Sequence, residues 1–186
     1  MYAASETDAN LLYASGFMAP DAFLWYQVNE EQGILVSSLE VGRATKQASE
    51  ETVVRSFSQA RKAWNVPAGT SRIEAYIEAL SEHHGVTRWE VPDAFPLGLA
   101  QKLAQRGLLL TPLPDFLPQR RCKSSREVEN LREGVALSEA GMRRALDILR
   151  ETEIAPSAEL SWNGETLTAD ILRGEIDAEI ARKGGT

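Results

Sequence analysis

Two histidines, one cysteine and a series of carboxylates are the side chains in this 186-residue sequence that could hold a metal, attack a carbonyl or move a proton. His83 and His84 are adjacent. Neighbouring helical residues project about 100° apart, so the pair does not share a ligand face; it reads as two polar residues of a last helical turn, where a cationic imidazole suits the dipole. Cys122 would need an imidazole base beside it to act as a nucleophile, and both histidines lie about forty residues upstream. As the one cysteine it has no internal disulfide partner. Glu127, Glu129, Glu133 and Glu139 stand among arginines, a pattern of ion-paired helix surface rather than an acid/base pair. The glycines at 164, 174, 184 and 185 do not make a phosphate-cradling loop between strand and helix, and no Gly-x-Ser-x-Gly elbow occurs. These residues therefore assign no catalytic side chain and no metal ligand within the chain.

The elements that would have to position any chemistry alternate between strand and helix. Ala9, Leu12 and Tyr13 have helical spacing within residues 6–15, with Gly16 as the stop. An aromatic, β-rich run at 22–28, a turn at 29–33 and a second run at 34–37 predict a hairpin. A short amphipathic helix follows at 39–47 and a strand at 52–56. Ser71 and Glu74 have the spacing of a capping box ahead of Ile73, Tyr76, Ile77 and Leu80, with Gly85 closing the helix. A strand at 86–91, a helix at 97–106 closed by Gly107 and a short buried strand at 108–111 complete the alternation. Such an order predicts an α/β domain with a mixed or largely parallel sheet covered by helices. It is expected to span 1–118. Prolines at 112, 114 and 118 and the basic stretch 119–123 read as a linker.

A second unit is expected over 124–186. Ser124 and Glu127 form another capping-box spacing, and Val128, Leu131, Val135, Met142, Leu146 and Leu149 draw one apolar stripe along one helix. At 1.5 Å per residue that helix runs roughly 40 Å, more than the remaining sequence can cover, so it calls for a larger partner. Asn163-Gly164 is a two-residue hairpin turn within 159–167. Thr168 caps a last helix carrying Ile171, Leu172, Ile176 and Ile180, and Gly184 and Gly185 follow it. No repeat of solenoid period and no low-complexity tract occurs.

A formal charge of -7 argues against a nucleic-acid partner, which needs clustered Lys and Arg. The first residues lack both a basic start and an apolar signal core, and no apolar run approaches the roughly 20 residues of a membrane span. The expectation is a cytoplasmic protein with no membrane partner.

Two passages, Ser5 to Phe17 and Lys123 to Arg132, point to a family. The first, with Leu12-Tyr13-Ala14-Ser15-Gly16-Phe17, resembles the opening of the creatinase/prolidase N-terminal domain. The second, Lys123-Ser124-Ser125-Arg126-Glu127-Val128-Glu129-Asn130-Leu131-Arg132, resembles the signature that begins the long first helix of the pita-bread metallopeptidase domain. The resemblance implies a creatinase N-terminal-type mixed sheet flanked by helices, then the first long helices of an incomplete pita-bread domain. It implies a Xaa-Pro aminopeptidase or dipeptidase as parent, a homodimer acting on short proline-containing peptides. Two divalent metal ions (Mn, Co or Zn) are expected in that parent, held by two Asp, one His and two Glu beyond this chain's last residue; no cofactor is expected in the chain itself. Catalytic inactivity of the 186 residues follows from the same expectation.

The aromatic cluster Phe17, Phe23, Trp25 and Tyr26 reads as core. The family offers an alternative, in which Tyr13, Phe17, Phe23 and Trp25 lie at a subunit contact near a neighbouring active-site mouth. Two rivals stand beside the peptidase reading: a creatinase-like hydrolase that works without metals, and a stand-alone interaction module whose helical tail recruits a partner. The ending at Gly184-Gly185-Thr186, after a long helix with too little chain to cover its stripe, favours truncation over that module.

Overall fold

The computed structural model describes residues 1–156 and 158–185, and they fall into two compact units, Met1–Arg121 and Cys122–Thr186. The first begins with a two-residue strand, β1 (Tyr2–Ala3), that the sequence did not announce, and then α1 (Ala9–Ser15). Asp8 caps α1 by accepting hydrogen bonds from the Asn10 and Leu11 amides, and Gly16 ends it at φ 66°. Ser15 Oγ donates to the Leu11 carbonyl and accepts from the Phe17 amide, while Ser5 Oγ donates to the Phe17 carbonyl and accepts from the Ala19 amide. The Ser5-to-Phe17 passage is thus a set of caps and buried hydroxyls that fold the chain back on itself.

β2 (Phe23–Val28) and β3 (Glu31–Val36) form an antiparallel hairpin with Asn29 and Glu30 at its tip and Asn29 at φ 54°. The turn is therefore two residues long, not the five expected at 29–33, and Gly33 lies inside β3 opposite Tyr26. A Cβ at Gly33 would sit 2.5 Å from the Tyr26 ring, so the glycine makes room for the aromatic that crosses it. α2 (Val41–Gln47) leads to β4 (Thr52–Ser56), which pairs parallel with β3. The resulting mixed sheet has the order β1-β2-β3-β4.

α3 (Phe57–Ala63) follows β4 directly, with a capping box between Ser56 and Gln59. α4 (Ile73–His84) starts after Arg72, which makes no side-chain cap, so the Ser71–Glu74 box expected there does not form. Glu74 instead accepts from its own amide and pairs with Lys102. β5 (Arg88–Pro92), α5 (Leu97–Ala104) and β6 (Leu109–Leu113) close the first unit, β5 and β6 as a two-stranded parallel sheet. β6 is not the buried strand expected: Leu109 is 48% exposed. Residues 118–121 make one 3-10 turn in the stretch expected as linker.

β2 alternates its side chains between two cores. Leu24, Tyr26 and Val28 join Trp64, Tyr76, Leu80 and Leu103, whereas Phe23 and Trp25 join Leu11, Phe17 and Ile34. Each fully buried Leu, Ile or Phe contributes about 1.5–3 kcal/mol, and this two-sided burial fixes the register of the hairpin.

In the second unit α6 (Ser125–Glu151) has the expected Ser124–Glu127 capping box. β7 (Glu153–Ile154) adds an unexpected edge to the hairpin of β8 (Leu160–Trp162) and β9 (Glu165–Thr166), with Asn163 and Gly164 both at positive φ in the turn. α7 (Ala169–Arg182), capped by Thr168, lays Ile176 and Ile180 against Gly141 of α6, where a Cβ would meet both at 3.0 Å.

Candidate functional site

A cleft of about 700 Å³ opens in the first unit between β2 and β5, with Gln27, Tyr26, Arg88, Trp89, Phe95 and Leu110 among its lining residues. It begins where the β1–β2 ladder stops. The Met1 backbone nitrogen donates to the Trp25 carbonyl at 2.7 Å and the Trp25 amide donates to the Met1 carbonyl at 2.9 Å. Burial lowers the pKa of the Met1 amine to about 5, with the Asp8 carboxylate pulling weakly the other way.

Beside the cleft, Tyr26 enters a polar network spanning three strands. Its hydroxyl donates to Glu31 Oε1 at 2.9 Å, and Arg55 Nη1 donates to the Tyr26 oxygen at 2.8 Å and to Glu31 at 3.3 Å. The Arg55 guanidinium lies 5.8 Å from the Trp64 ring centroid. Burial, then the hydrogen bond to Glu31, raises the Tyr26 pKa above its ordinary value, and the Arg55 charge only partly opposes this. A phenol held protonated in this way is a donor, not a base; the network ties the hairpin to the parallel strand β4. The His84 ring lies 6.2 Å from Tyr26 and 4.9 Å from His83, and His84 Nε2 is buried with no hydrogen-bond partner among the described residues.

The four aromatic residues singled out in the sequence do not share one surface. Phe17, Phe23 and Trp25 are at most 5% exposed, with the Phe17 and Phe23 rings 5.4 Å apart, whereas Tyr13 is 39% exposed. The two histidines end α4, Cys122 is exposed, Glu127 closes the α6 capping box, and Glu129 and Glu139 pair with Arg132 and Arg143 on the surface of that helix. Among the described residues no three His, Cys, Asp or Glu side chains come together in a metal-binding group, so the residues present do not fit a metal pair. No helix among them is long and apolar enough to cross a membrane.

Sequence reasoning missed Glu31 and Arg55, which the parallel pairing of β3 and β4 puts on one face, and Trp64 at the end of α3, whose ring lies beside the Arg55 guanidinium. It also missed Arg144, which holds Glu175 through Nε at 3.1 Å and Nη2 at 2.5 Å and lies 5.5 Å from the Trp162 ring centroid. The hydrogen bond to Glu175 raises the Arg144 pKa. Only the opposite charges in the sequence hint at either grouping, since the pairing needs the tertiary register.

No protein-family model matches the sequence, and no curated protein matches it. Solved structures do. The X-Pro aminopeptidase from Thermotoga maritima matches at a TM-score of 0.68 and 11% identity, over 97% of this chain and 44% of that one. The Xaa-Pro dipeptidase from Bacillus anthracis matches at 0.68 and 13%, over 95% and 43%. The prolidase from Pyrococcus furiosus matches at 0.62 and 10%, over 95% and 44%. The chain has the fold of the N-terminal part of these structures and spans less than half of their length.

Proposed function

We propose that these 186 residues are the noncatalytic front part of a metal-dependent Xaa-Pro peptidase, an enzyme that cleaves the bond before proline in short peptides. The observation that carries this reading is the extent of the structural match, which runs through both units at 93–97% of the chain rather than through one common layer. Physical support comes from α6, where Leu131, Val135, Met142, Leu146 and Leu149 are 41–62% exposed along one stripe. Such a stripe requires cover, and the remainder of a catalytic domain would provide it.

In this reading two divalent ions, Mn, Co or Zn, are held by residues outside the chain; when bound they would polarise the scissile carbonyl and lower the pKa of a water. The first unit would take part in a homodimer and restrict access to short peptides, with the parent working in the cytoplasm. The test is hydrolysis of a Xaa-Pro dipeptide and a Xaa-Pro tripeptide with added Mn2+ or Co2+, run on the 186-residue chain and on a longer polypeptide that continues it. Cleavage before proline by the longer polypeptide alone is the expected result. Proline-specific cleavage by the shorter chain alone, or none by the longer polypeptide, would overturn the assignment.

A further inference from the structure

Asn163 and Gly164 close the β8–β9 hairpin and leave both of their amide groups free to react. They form the whole two-residue tip between Trp162 and Glu165, the last pair of the ladder, and both are exposed. Among the described residues neither the Asn163 carboxamide nor the Gly164 backbone N–H makes a hydrogen bond. An electrophilic side-chain carbon and a backbone nitrogen without a partner thus stand on adjacent residues, and the second of these has no Cβ to hinder an approach.

The backbone favours their meeting. Asn163 at φ 54° and Gly164 at φ 83° have the positive angles at both central positions that define a type I′ turn. For the Gly164 nitrogen to reach the Asn163 side-chain carbon it must eclipse Cβ about the Cα–C bond, which is a ψ of about −120° at Asn163. With φ still positive, that value belongs to the first central residue of a type II′ turn, the alternative closure of a two-residue hairpin. Rotating the single peptide unit between Asn163 and Gly164 converts one turn into the other, and glycine accepts the reversed sign of φ. The reactive geometry is therefore reached with the Trp162–Glu165 pair intact.

We propose that Asn163 is a site of spontaneous covalent modification, at which the Gly164 nitrogen attacks the Asn163 side chain within the folded hairpin and aspartate and isoaspartate replace the asparagine. Hydroxide takes the proton of the Gly164 amide. The nitrogen bonds to Asn163 Cγ, the Cγ–Nδ2 bond breaks with its electron pair on Nδ2, and protonation releases ammonia. Water then opens the five-membered imide: cleavage of the new C–N bond gives aspartate, and cleavage of the original peptide C–N bond gives isoaspartate. Water is the co-reactant, and no oxidant or reductant enters. Isoaspartate carries the main chain through Cβ, one carbon longer, so the tip no longer matches the loop that sets the Trp162–Glu165 register. Asn29 is an internal comparison: it too has φ 54° in a two-residue tip, but it precedes Glu30, whose side chain crowds the attacking nitrogen. This inference stands on the second unit's hairpin and does not depend on the peptidase reading.

The experiment incubates the full chain at about pH 6 and about pH 8, folded and in guanidinium chloride, and follows its tryptic peptides by mass over days. The peptide Glu151–Arg173 should gain about 1 Da at Asn163 and separate into two isomers. The isoaspartyl isomer should accept a methyl group from S-adenosylmethionine through an isoaspartyl O-methyltransferase. The rate should rise at least about tenfold between the two pH values, since the amide must lose its proton. In the folded chain it should stay within about tenfold of the unfolded rate and exceed that at Asn29 at least about tenfold. Asn163→Gln should remove the gain, because its longer side chain closes a less favourable ring. No gain at Asn163 in the folded chain, a folded rate that follows only the unfolded fraction, or modification at Asn29 as fast as at Asn163 would each overturn the proposal.

Discussion

The first unit buries its apolar side chains on both faces of a sheet, while the second leaves most of its longest apolar stripe in solvent. Leu11, Phe17, Ile34, Leu35, Tyr76 and Leu80 are at most 1% exposed, whereas α6 buries only Gly141, Ala145 and Ile148. α4 in the first unit and α6 in the second both carry apolar residues at helical spacing, so the difference lies in what each has to pack against. A sheet strand with helices over both of its faces finds partners locally; a 27-residue helix faced by a single shorter one does not. Patterning therefore shows that a face is meant to be covered, and only the packing shows whether the cover is present.

The sharpest way to break this comparison is to delete side chains from both kinds of apolar position. Leu80→Ala, at a residue 1% exposed among Trp64, Tyr76 and Leu103, should cost about 2–5 kcal/mol through lost burial and a residual cavity. Met142→Ser, at a residue 62% exposed, should stay within about 0.5 kcal/mol in this chain. Urea unfolding followed by circular dichroism and tryptophan emission measures both. A costly Met142→Ser would mean that the stripe is already covered, by self-association for instance, and the contrast between the units would fail.

Several elements were legible because independent signals coincided. α6 combined a capping box with a stripe of helical period, and the Asn163-Gly164 turn carried the two residues that tolerate positive φ. The failures have equally specific causes. β1 and β7 are two residues long and rest on pairing rather than on local propensity. α3 starts directly after Ser56, the last residue of β4, so its capping box was hidden inside a β-rich run. Gly33 resembled a turn residue because its need for space comes from Tyr26 across the ladder, which a linear sequence does not display. The Arg55–Glu31–Tyr26 network was out of reach for the same reason.

A smaller effect separates buried from exposed charge. Glu74 is 5% exposed, and its pKa lies below the usual 4.5, first through the hydrogen bond from its own amide and then through Lys102 and Arg72, with burial opposing. The folded carboxylate thus releases its proton more readily than the unfolded one. Between the two pKa values the unfolded chain binds more protons, so this contribution is complete above the unfolded value and is lost as pH falls through the folded one. Glu74→Gln should lower stability at neutral pH by about 1 kcal/mol and flatten the acid limb of the first unit's stability as pH falls below about 5. Urea midpoints across that range provide the check, and an unchanged acid limb would assign it to other groups.

The finest comparison sets the two capping boxes side by side. In α3, Ser56 Oγ accepts from the Gln59 amide at 3.2 Å and lies 2.9 Å from Ser58 Oγ, in a residue 5% exposed. In α6, Ser124 Oγ accepts from the Glu127 amide at 3.3 Å at an exposed position. Replacing either by alanine removes a cap worth about 0.5–2 kcal/mol. Ser56→Ala should fall at the upper end, because water cannot readily replace a hydroxyl buried beneath α3. Ser124→Ala should fall at the lower end, opening the first turn of α6 to amide exchange while leaving the unfolding midpoint of the first unit where it was. If the exposed cap proved the costlier of the two, the start of α6 would be carrying packing that its solvent exposure does not reveal.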